Sequence, residues 1–392
     1  MIVTPLAVHS PRAVREVLRA RGWDEGRAGA AASGLGPFAV LLDGLDESTA
    51  EALVRHAGHL GLGVLTGENW ALLAGSHARF GALARPWGGP PELATLAHQV
   101  GLSLPPEPAT VWLTARGPVA LDRPVIIGIL NLTPDSFSDG GKYPSLEAAV
   151  AQADRMLAEG AAILDLGGES TRPGRPEPVP EAEELHRVLP VIEALTARHG
   201  SLLLSVDTVK SGVAQAALAA GAAIINDVSA FRLDPAMAGL AARTGAGVIL
   251  MHSRGGVTDM ATLDHADYGG NVVGVVGQEL RVAMEKAEAA GVAADRIVVD
   301  PGLGFAKTPE QNILLCDRLA ALLSLGRPLL VGPSRKRFLG TITGLDVGDR
   351  DGATAAACVI AFERGARLFR VHHVAATREA LAVAHAVRFG ES

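Results

Sequence analysis

A chain of 392 residues is longer than one ordinary core requires, and its 48% hydrophobic content can fill two or three. A formal net charge of -7 and a pI near 6.0 exclude nucleic acid as the main partner, because a phosphate backbone calls for a basic footprint. No apolar run approaches the roughly 18 residues of a membrane span, no basic stretch precedes the short apolar run at the N-terminus, and Cys316 and Cys358 stand outside any motif, so the chain reads as a cytoplasmic protein with reduced thiols.

Residues 1–109 read as a small α+β module. Helical spacing from Ala13 to Arg21 leads into a small-residue linker at 28–36, then a strand at Phe38–Leu42. A helix follows from Asp46 to about Leu60, with Asp46 or Ser48 as its N-cap. Strands are expected at Gly63–Thr66 and Trp70–Leu73, and helices at His77–Ala84 and Glu92–Val100. The cluster Pro105, Pro106, Pro108 marks a linker. His56 and His59 share a helical face, but without a third ligand they read as a polar face rather than a metal site.

From Thr110 the pattern becomes regular. Val111–Thr114 and Pro118–Leu121 form an expected hairpin around Arg116-Gly117, after which apolar strands alternate with Ala/Leu-rich helices. The strands are Val125–Leu130, Ile163–Leu166, Leu202–Val206, Ile224–Asn226, Gly247–Met251, Ile297–Val299, Leu329–Val331 and Leu368–Val371. Leu146–Glu159, Lys210–Ala220 and Gly352–Arg364 are typical of the helices between them. Eight such units predict a (β/α)8 TIM barrel over residues 110–392. An open doubly wound sheet is the alternative, and it is disfavoured because neither a G-x-G-x-x-G nor a phosphate-loop motif is present.

Polar residues stand at every strand mouth: Asn131 and its Thr-, Ser- and Gly-rich loop, Asp165 with Gly167–Gly174, Asp207, Asn226-Asp227, His252-Ser253-Arg254, Asp300, Ser334-Arg335-Lys336, and Arg370 with His372. Singly, each has a bland explanation. Asp207 could cap the helix near Lys210, and Asp300 could stabilise a Pro-Gly turn. Together they point to one pocket at the top of a barrel. Buried Asp and Asn suit the N–H edge of a flat nitrogen heterocycle, while Arg172, Lys336, Arg370 and His372 supply positive charge for a polyanion. Asn131 offers a neutral oxygen to a hard cation such as Mg²⁺.

The segments Gly128–Gly141, Asp165–Gly174, Ser205–Asp207, Ile225–Val228, Asp300–Phe305, Gly332–Lys336 and Arg370–His372 resemble the dihydropteroate synthase family. The resemblance spans about residue 110 to the end, and the first 109 residues are similar to an extension on some long bacterial members. It implies condensation of 6-hydroxymethyl-7,8-dihydropterin diphosphate with 4-aminobenzoate to give 7,8-dihydropteroate and pyrophosphate in folate synthesis. It also implies roles: Asp207, Asn226, Asp300 and Lys336 for the pterin, with Asp165 beside them, and Asn131, Arg370, His372 and Mg²⁺ for the diphosphate. Thr171, Arg172, Pro173, Ser334, Phe305 and Lys336 would shape the aminobenzoate site, where sulfonamide mimics are expected competitors. Asp207, Asp300, Lys336, Arg370 and His372 would carry the catalysis, and the loops 131–141 and 167–176 would close over the substrates. The apolar surface of Ala353–Phe362 could be core or a dimer seam, and the resemblance implies a homodimer.

Two positions depart from the family pattern. His373 replaces the usual Asp after Arg370-Val371-His372, and Arg337 stands where a small residue is common. Two other readings remain open on sequence alone: a methyltransferase barrel that binds methyl-tetrahydrofolate, and a catalytically inactive barrel that acts as a scaffold. The Thr171-Arg172-Pro173 loop and the Ser334-Arg335-Lys336 cluster favour the synthase over the first, and intact pocket residues weigh against the second.

Overall fold

A computed structural model of the chain describes residues 2–7, 17–24, 26–28, 38–75, 77–84, 93–97, 100, 109–133, 145–169 and 177–389. It divides into two compact units, residues 1–107 with 320–326, and residues 108–319 with 327–392.

The first unit is built on β1 (Ile2–Ala7), β2 (Phe38–Asp43), β3 (Gly63–Thr66) and β4 (Trp70–Gly75), an antiparallel sheet in the order β1-β2-β4-β3. Alternation along β2 sends Val40 and Leu42 into one apolar cluster with Leu53, Leu73 and Phe80, and Ala39 and Leu41 into another with Leu18, Trp70 and Leu72. The sheet is therefore buried on both faces. Helix α1 (Glu47–His59) starts where expected, because the Asp46 carboxylate accepts the Thr49 N–H at 2.8 Å. Helix α2 (His77–Ala84) matches its expected span. Strand β1 is absent from the sequence expectations, since Pro5 interrupts its apolar run. Pro5 is accommodated because β1 lies at the sheet edge, opposite Val40. The linker at 105–108 lies outside the described residues.

The second unit opens with the hairpin β5 (Val111–Thr114) and β6 (Gly117–Ala120). Its return strand begins one residue earlier than expected, with Gly117 at φ +121° and the turn at Ala115-Arg116. Trp112 of β5 is fully buried, donates its indole N–H to the Arg296 carbonyl at 2.9 Å, and joins Ile127, Ile163, Ile224, Ile249, Val298, Leu330 and Leu368 in one cluster. Those residues occupy the starts of the barrel strands, so the hairpin plugs that end. Truncating such a residue to Ala typically costs about 3–5 kcal/mol.

Eight parallel strands follow: β7 (Val125–Asn131), β8 (Ile163–Gly167), β9 (Leu203–Asp207), β10 (Ile224–Asp227), β11 (Gly247–Met251), β12 (Ile297–Asp300), β13 (Leu330–Val331) and β14 (Leu368–Val371). They pair as β12-β11-β10-β9-β8-β7-β14-β13, and a single parallel bridge, Val299 to Leu329, joins the two ends. The Val299 N–H to Pro328 carbonyl bond, 3.0 Å, reinforces that seam. Between the strands lie α3 (Leu146–Ala158), α4 (Glu181–Arg198), α5 (Ser211–Ala219), α6 (Ala236–Thr244), α7 (Val272–Ala289), α8 (Pro309–Asp317), α9 (Arg337–Thr343) and α10 (Asp351–Glu363), with α11 (Val374–Phe389) closing the ring. This is a (β/α)8 barrel. No helix of the described residues is long and apolar enough to cross a membrane.

Most strands run one residue further than their apolar stretch suggested, ending on Asn131, Gly167, Asp207, Asp227 and Asp300. The extension matters. A period of two carries Ile163 to Asp165, Leu203 through Ser205 to Asp207, Ile224 to Asn226, Val298 to Asp300, and Leu368 to Arg370. The same inward row that is apolar at the plug becomes ionic at the mouth.

Candidate active site

A cavity of about 330 Å³ opens at the C-terminal ends of the strands, and its lining includes Asn131, Asp207, Phe305, Ser334, Lys336, Arg370 and His372. A larger groove of about 420 Å³ runs along α7 outside the barrel. The smaller cavity is the candidate site, because the ionic mouth of the barrel converges there.

Its centre is a fork. Arg370 donates from Nε to Asp165 Oδ2 at 2.5 Å and from Nη2 to Asp207 Oδ2 at 2.6 Å. Asp165 Oδ2 also accepts the Asn226 side-chain N–H at 2.9 Å, which orients that amide. Asp165 is completely buried, yet its Oδ1 has no hydrogen-bond partner among the described residues, and the Oγ of Ser205, its register partner on β9, is in the same condition. Unsatisfied acceptors at this depth are expensive unless a ligand's donors complete them. Burial pushes the Asp207 carboxyl above its ordinary range while Arg370 pulls it back; burial works against the Arg370 charge, but Asp165 and Asp207 outweigh it and hold the guanidinium above its ordinary range.

Asp300 makes the turn bond and still faces the cavity with its second oxygen. Its Oδ1 accepts the Gly302 N–H at 2.7 Å, as a turn-stabilising Asp should, and its Oδ2 makes no hydrogen bond among the described residues. Burial raises its pKa, countered first by that N–H and then by Lys336. The Lys336 ammonium sits 3.8 Å from the centroid of the Phe305 ring, a cation–π contact, and burial lowers its pKa while Asp300 raises it. Gly304 permits this stacking: its φ is +80°, and a Cβ there would lie 2.7 Å from Lys336 Cδ.

On the opposite side, His372 Nδ1 lies 2.9 Å from Ser334 Oγ, which also accepts the His372 backbone N–H at 3.1 Å. Asn131 Nδ2 stands 3.5 Å from His372 Nε2. Asn131, Ser334 and His372 thus form one polar wall. No cluster of three or more His, Cys, Asp or Glu able to hold a metal is found among the described residues. The wall offers a hard cation one neutral amide oxygen at Asn131, which fits Mg²⁺ where substrate phosphates and water fill the remaining positions.

Asp207 does not cap the helix after it. The first N–H of α5, on Ser211, is taken by Asp234 Oδ2 at 2.7 Å, leaving Asp207 to Arg370. Arg335, the middle residue of the Ser334-Arg335-Lys336 cluster, forms two bonds of 2.7 and 2.8 Å with Asp351. Its left-handed backbone, φ +57°, directs the next residue, Lys336, into the cavity. Thr171, Arg172 and Pro173, with residues 134–144 of the first loop, lie outside the described residues.

One ionic group escaped the sequence reading. Glu169 lines the cavity and bonds Lys210 at 2.7 Å, and Lys210 also reaches the fully buried Glu184 at 2.5 Å. The second glycine of Gly167-Gly168 is explained by the same helix, since a Cβ on Gly168 would meet Glu184 Cγ at 2.9 Å. Arg187 further ties the strand end down by donating to the Gly168 carbonyl at 2.7 Å.

Residues 127–372 match the model of a family described as pterin binding enzyme. A dihydropteroate synthase of Synechocystis sp. is 45% identical over 266 residues, covering 68% of this chain and 90% of the relative. Among solved structures, the chain is similar to Xanthomonas albilineans dihydropteroate synthase with 4-aminobenzoic acid, at 46% identity and a TM-score of 0.66, covering 72% of this chain and 99% of that one. It is also similar to Yersinia pestis dihydropteroate synthase with a sulfonamide drug, at 42% identity and a TM-score of 0.66, covering 71% and 100%.

Proposed function

The chain belongs to the pterin-binding enzyme family, and from that premise we infer its chemistry: it is a dihydropteroate synthase, a transferase that joins 6-hydroxymethyl-7,8-dihydropterin diphosphate to 4-aminobenzoate in folate synthesis. The observation that carries this reading is the set of unspent acceptors at the mouth, Asp165 Oδ1 and Asp300 Oδ2, framed by the cations Arg370 and Lys336.

Each residue has a distinct task. Asn226, with its N–H committed to Asp165, turns an amide oxygen toward the pterin's donors. Asp207 and Asp300 accept pterin N–H groups, and their charge stabilises the cation that spreads into the ring as the C–O bond breaks. The departing diphosphate is received by His372 and by Arg370, whose Nη1 makes no hydrogen bond among the described residues. Mg²⁺ at Asn131, when bound, neutralises charge on that leaving group. The arylamine of 4-aminobenzoate is neutral at pH 7 and forms the N–C bond without a general base, its surplus proton passing to solvent. Phe305, Ser334 and the stem of Lys336 bracket its ring. Arg337, exposed at the cavity wall, supplies positive charge for its carboxylate.

Residues 1–109 serve as an accessory module to a catalytic barrel at 110–392. The barrel pairs as a homodimer through α10 and α11, where Ile360, Val383, Val387 and Phe389 are 44–82% exposed. Purified protein supplied with the pterin diphosphate, 4-aminobenzoate and Mg²⁺ should release pyrophosphate and form dihydropteroate. Absence of product across all Mg²⁺ concentrations would refute the reading. Removal of residues 1–109 should leave turnover per folded barrel nearly unchanged, and its loss in a well-folded truncation would refute the accessory role.

A further inference from the structure

Resting on that reading, we propose that Lys307 is a positioning residue for the aminobenzoate side of the site, fixing Phe305 beneath Lys336 through a chain Glu279–His252–Lys307 whose histidine and lysine are buried. None of these three residues lines the catalytic cavity. Whatever they do for the reaction, they do through the loop between β12 and α8.

Lys307 is 2% exposed, and its ammonium has three donors and three acceptors: the carbonyls of Gly302 and Phe305 and the Nδ1 of His252, each at 3.0 Å. Burial lowers Lys307 to about 7 while Asp300 raises it; facing its ammonium form, His252 Nδ1 presents its lone pair, so the ring proton sits on Nε2 and is donated to Glu279 Oε2 at 2.8 Å. Burial and the neighbouring Lys307 charge push His252 down to about 4, keeping the ring neutral near pH 7. Glu279 is fixed in turn by Arg254, which donates to both of its oxygens at 3.2 and 2.5 Å and stacks 4.1 Å from the Tyr268 ring centroid. Tyr268 completes the clamp by donating its hydroxyl to the Ala306 carbonyl at 3.0 Å.

The clamped loop needs holding. Gly302, Gly304 and Ala306 all have positive φ, +67°, +80° and +47°, and Ala306 takes that conformation with a side chain that disfavours it. The bonds from Lys307 and Tyr268 reach three carbonyls of this segment, at 302, 305 and 306, and thereby set where the Phe305 ring lies beneath Lys336. Without the ammonium, the Phe305 carbonyl would lose its donor and the Gly302 carbonyl would keep only the Phe305 N–H, at 3.1 Å. The loop would then relax, carrying the ring with it.

The test is a KM split on the full-length enzyme. Lys307→Met should raise the KM for 4-aminobenzoate about tenfold while leaving that for the pterin diphosphate within about twofold, rates being normalised to the folded fraction from circular dichroism. An unchanged aminobenzoate KM, or an equal rise in both, overturns the proposal, since general loosening of the barrel would not select one substrate. Phe305→Ala serves as the control and should itself raise the aminobenzoate KM. If it does not, the assignment of Phe305 fails and takes the proposal with it; if it does while Lys307→Met resembles wild type, the proposal alone fails. Should Lys307→Met not fold, His252→Leu replaces it, with a selective rise of about threefold expected and wild-type behaviour overturning the inference.

Discussion

Two charge clusters lie at the mouth of the same barrel, and they differ in what they leave unspent. In the Glu279–His252–Lys307 chain each charged or titratable atom has a partner: three acceptors for the ammonium, both imidazole nitrogens engaged, and both carboxylate oxygens held. In the central fork, Arg370 is shared between Asp165 and Asp207, but Asp165 Oδ1 and Asp300 Oδ2 have no hydrogen-bond partner among the described residues. Both clusters were costly to desolvate. The first recovers that cost within the protein and so holds a shape. The second recovers it only when a ligand's donors arrive, which is the signature of a binding site rather than of a structural network.

The comparison is broken most severely at Asp300. Asp300→Asn keeps the oxygen that accepts the Gly302 N–H but removes the charge that faces the pterin. Activity should fall about a thousandfold, comparable to losing a principal electrostatic stabiliser. Stability should move by no more than about 1 kcal/mol, because a buried charge with an open valence is removed rather than a satisfied one. Steady-state kinetics alongside urea melts decide this. A large loss of stability would mean that Asp300 belongs to the closed kind of cluster.

Arg370→Met should do the reverse to the fold. It strands two buried carboxylates, and breaking such a pair typically costs about 3–5 kcal/mol. A denaturation midpoint close to wild type would show that Asp165 and Asp207 are not held by Arg370 in solution.

The two clusters should also respond to acid with opposite sign. The folded pKa of His252, about 4, lies below its ordinary value of 6.5, so the unfolded chain binds the proton first, and stability falls as pH drops through 6.5 toward 4. Asp300 is raised from 3.8 to about 6, so the native state binds the proton first, and stability rises as pH falls over that window. His252→Leu should therefore become more acid-resistant relative to wild type by about 2 kcal/mol between pH 6.5 and 4. Asp300→Asn should shift the opposite way. Urea midpoints at the two pH values measure both, and parallel curves for all three proteins would remove the distinction.

The distinction between open and closed valence also explains what could be read from the sequence. Parallel strands buried on both faces are apolar runs that stop at polar residues, so the barrel and the residues Asp165, Asp207, Asn226, Asp300 and Arg370 were legible as strand ends. Closed networks leave no such trace. Glu184 sits in an acidic first turn of α4 that reads as a solvated helix start, and it is buried only because Lys210 reaches it from the far end of another loop. Lys307 reads as an ordinary loop lysine, and its partners come from 55 residues away at His252 as well as from its own turn. The pairing of Arg335 with Asp351 is hidden for a related reason: it depends on a left-handed backbone that spacing alone cannot reveal. Strand β1 was hidden by Pro5, whose tolerance depends on which strand lies at the edge.

The smallest expected effect lies outside both clusters, at the departure from family pattern beside His372. His373 is exposed, and its Nδ1 accepts the Ala376 N–H at 3.3 Å, three residues into α11. That is the work of an N-cap, which Asp performs with a charge that also favours the helix dipole. The imidazole therefore replaces the usual carboxylate in kind, as an acceptor for the helix start, and does not enter the wall formed by Asn131, Ser334 and His372. His373→Asp should add about 0.5 kcal/mol of stability. Its kcat and both KM values should stay within about twofold of wild type, since no open valence of the fork is touched. A larger change in diphosphate-substrate KM would place residue 373 in the anion site after all, and would extend the open cluster beyond the residues that line the cavity.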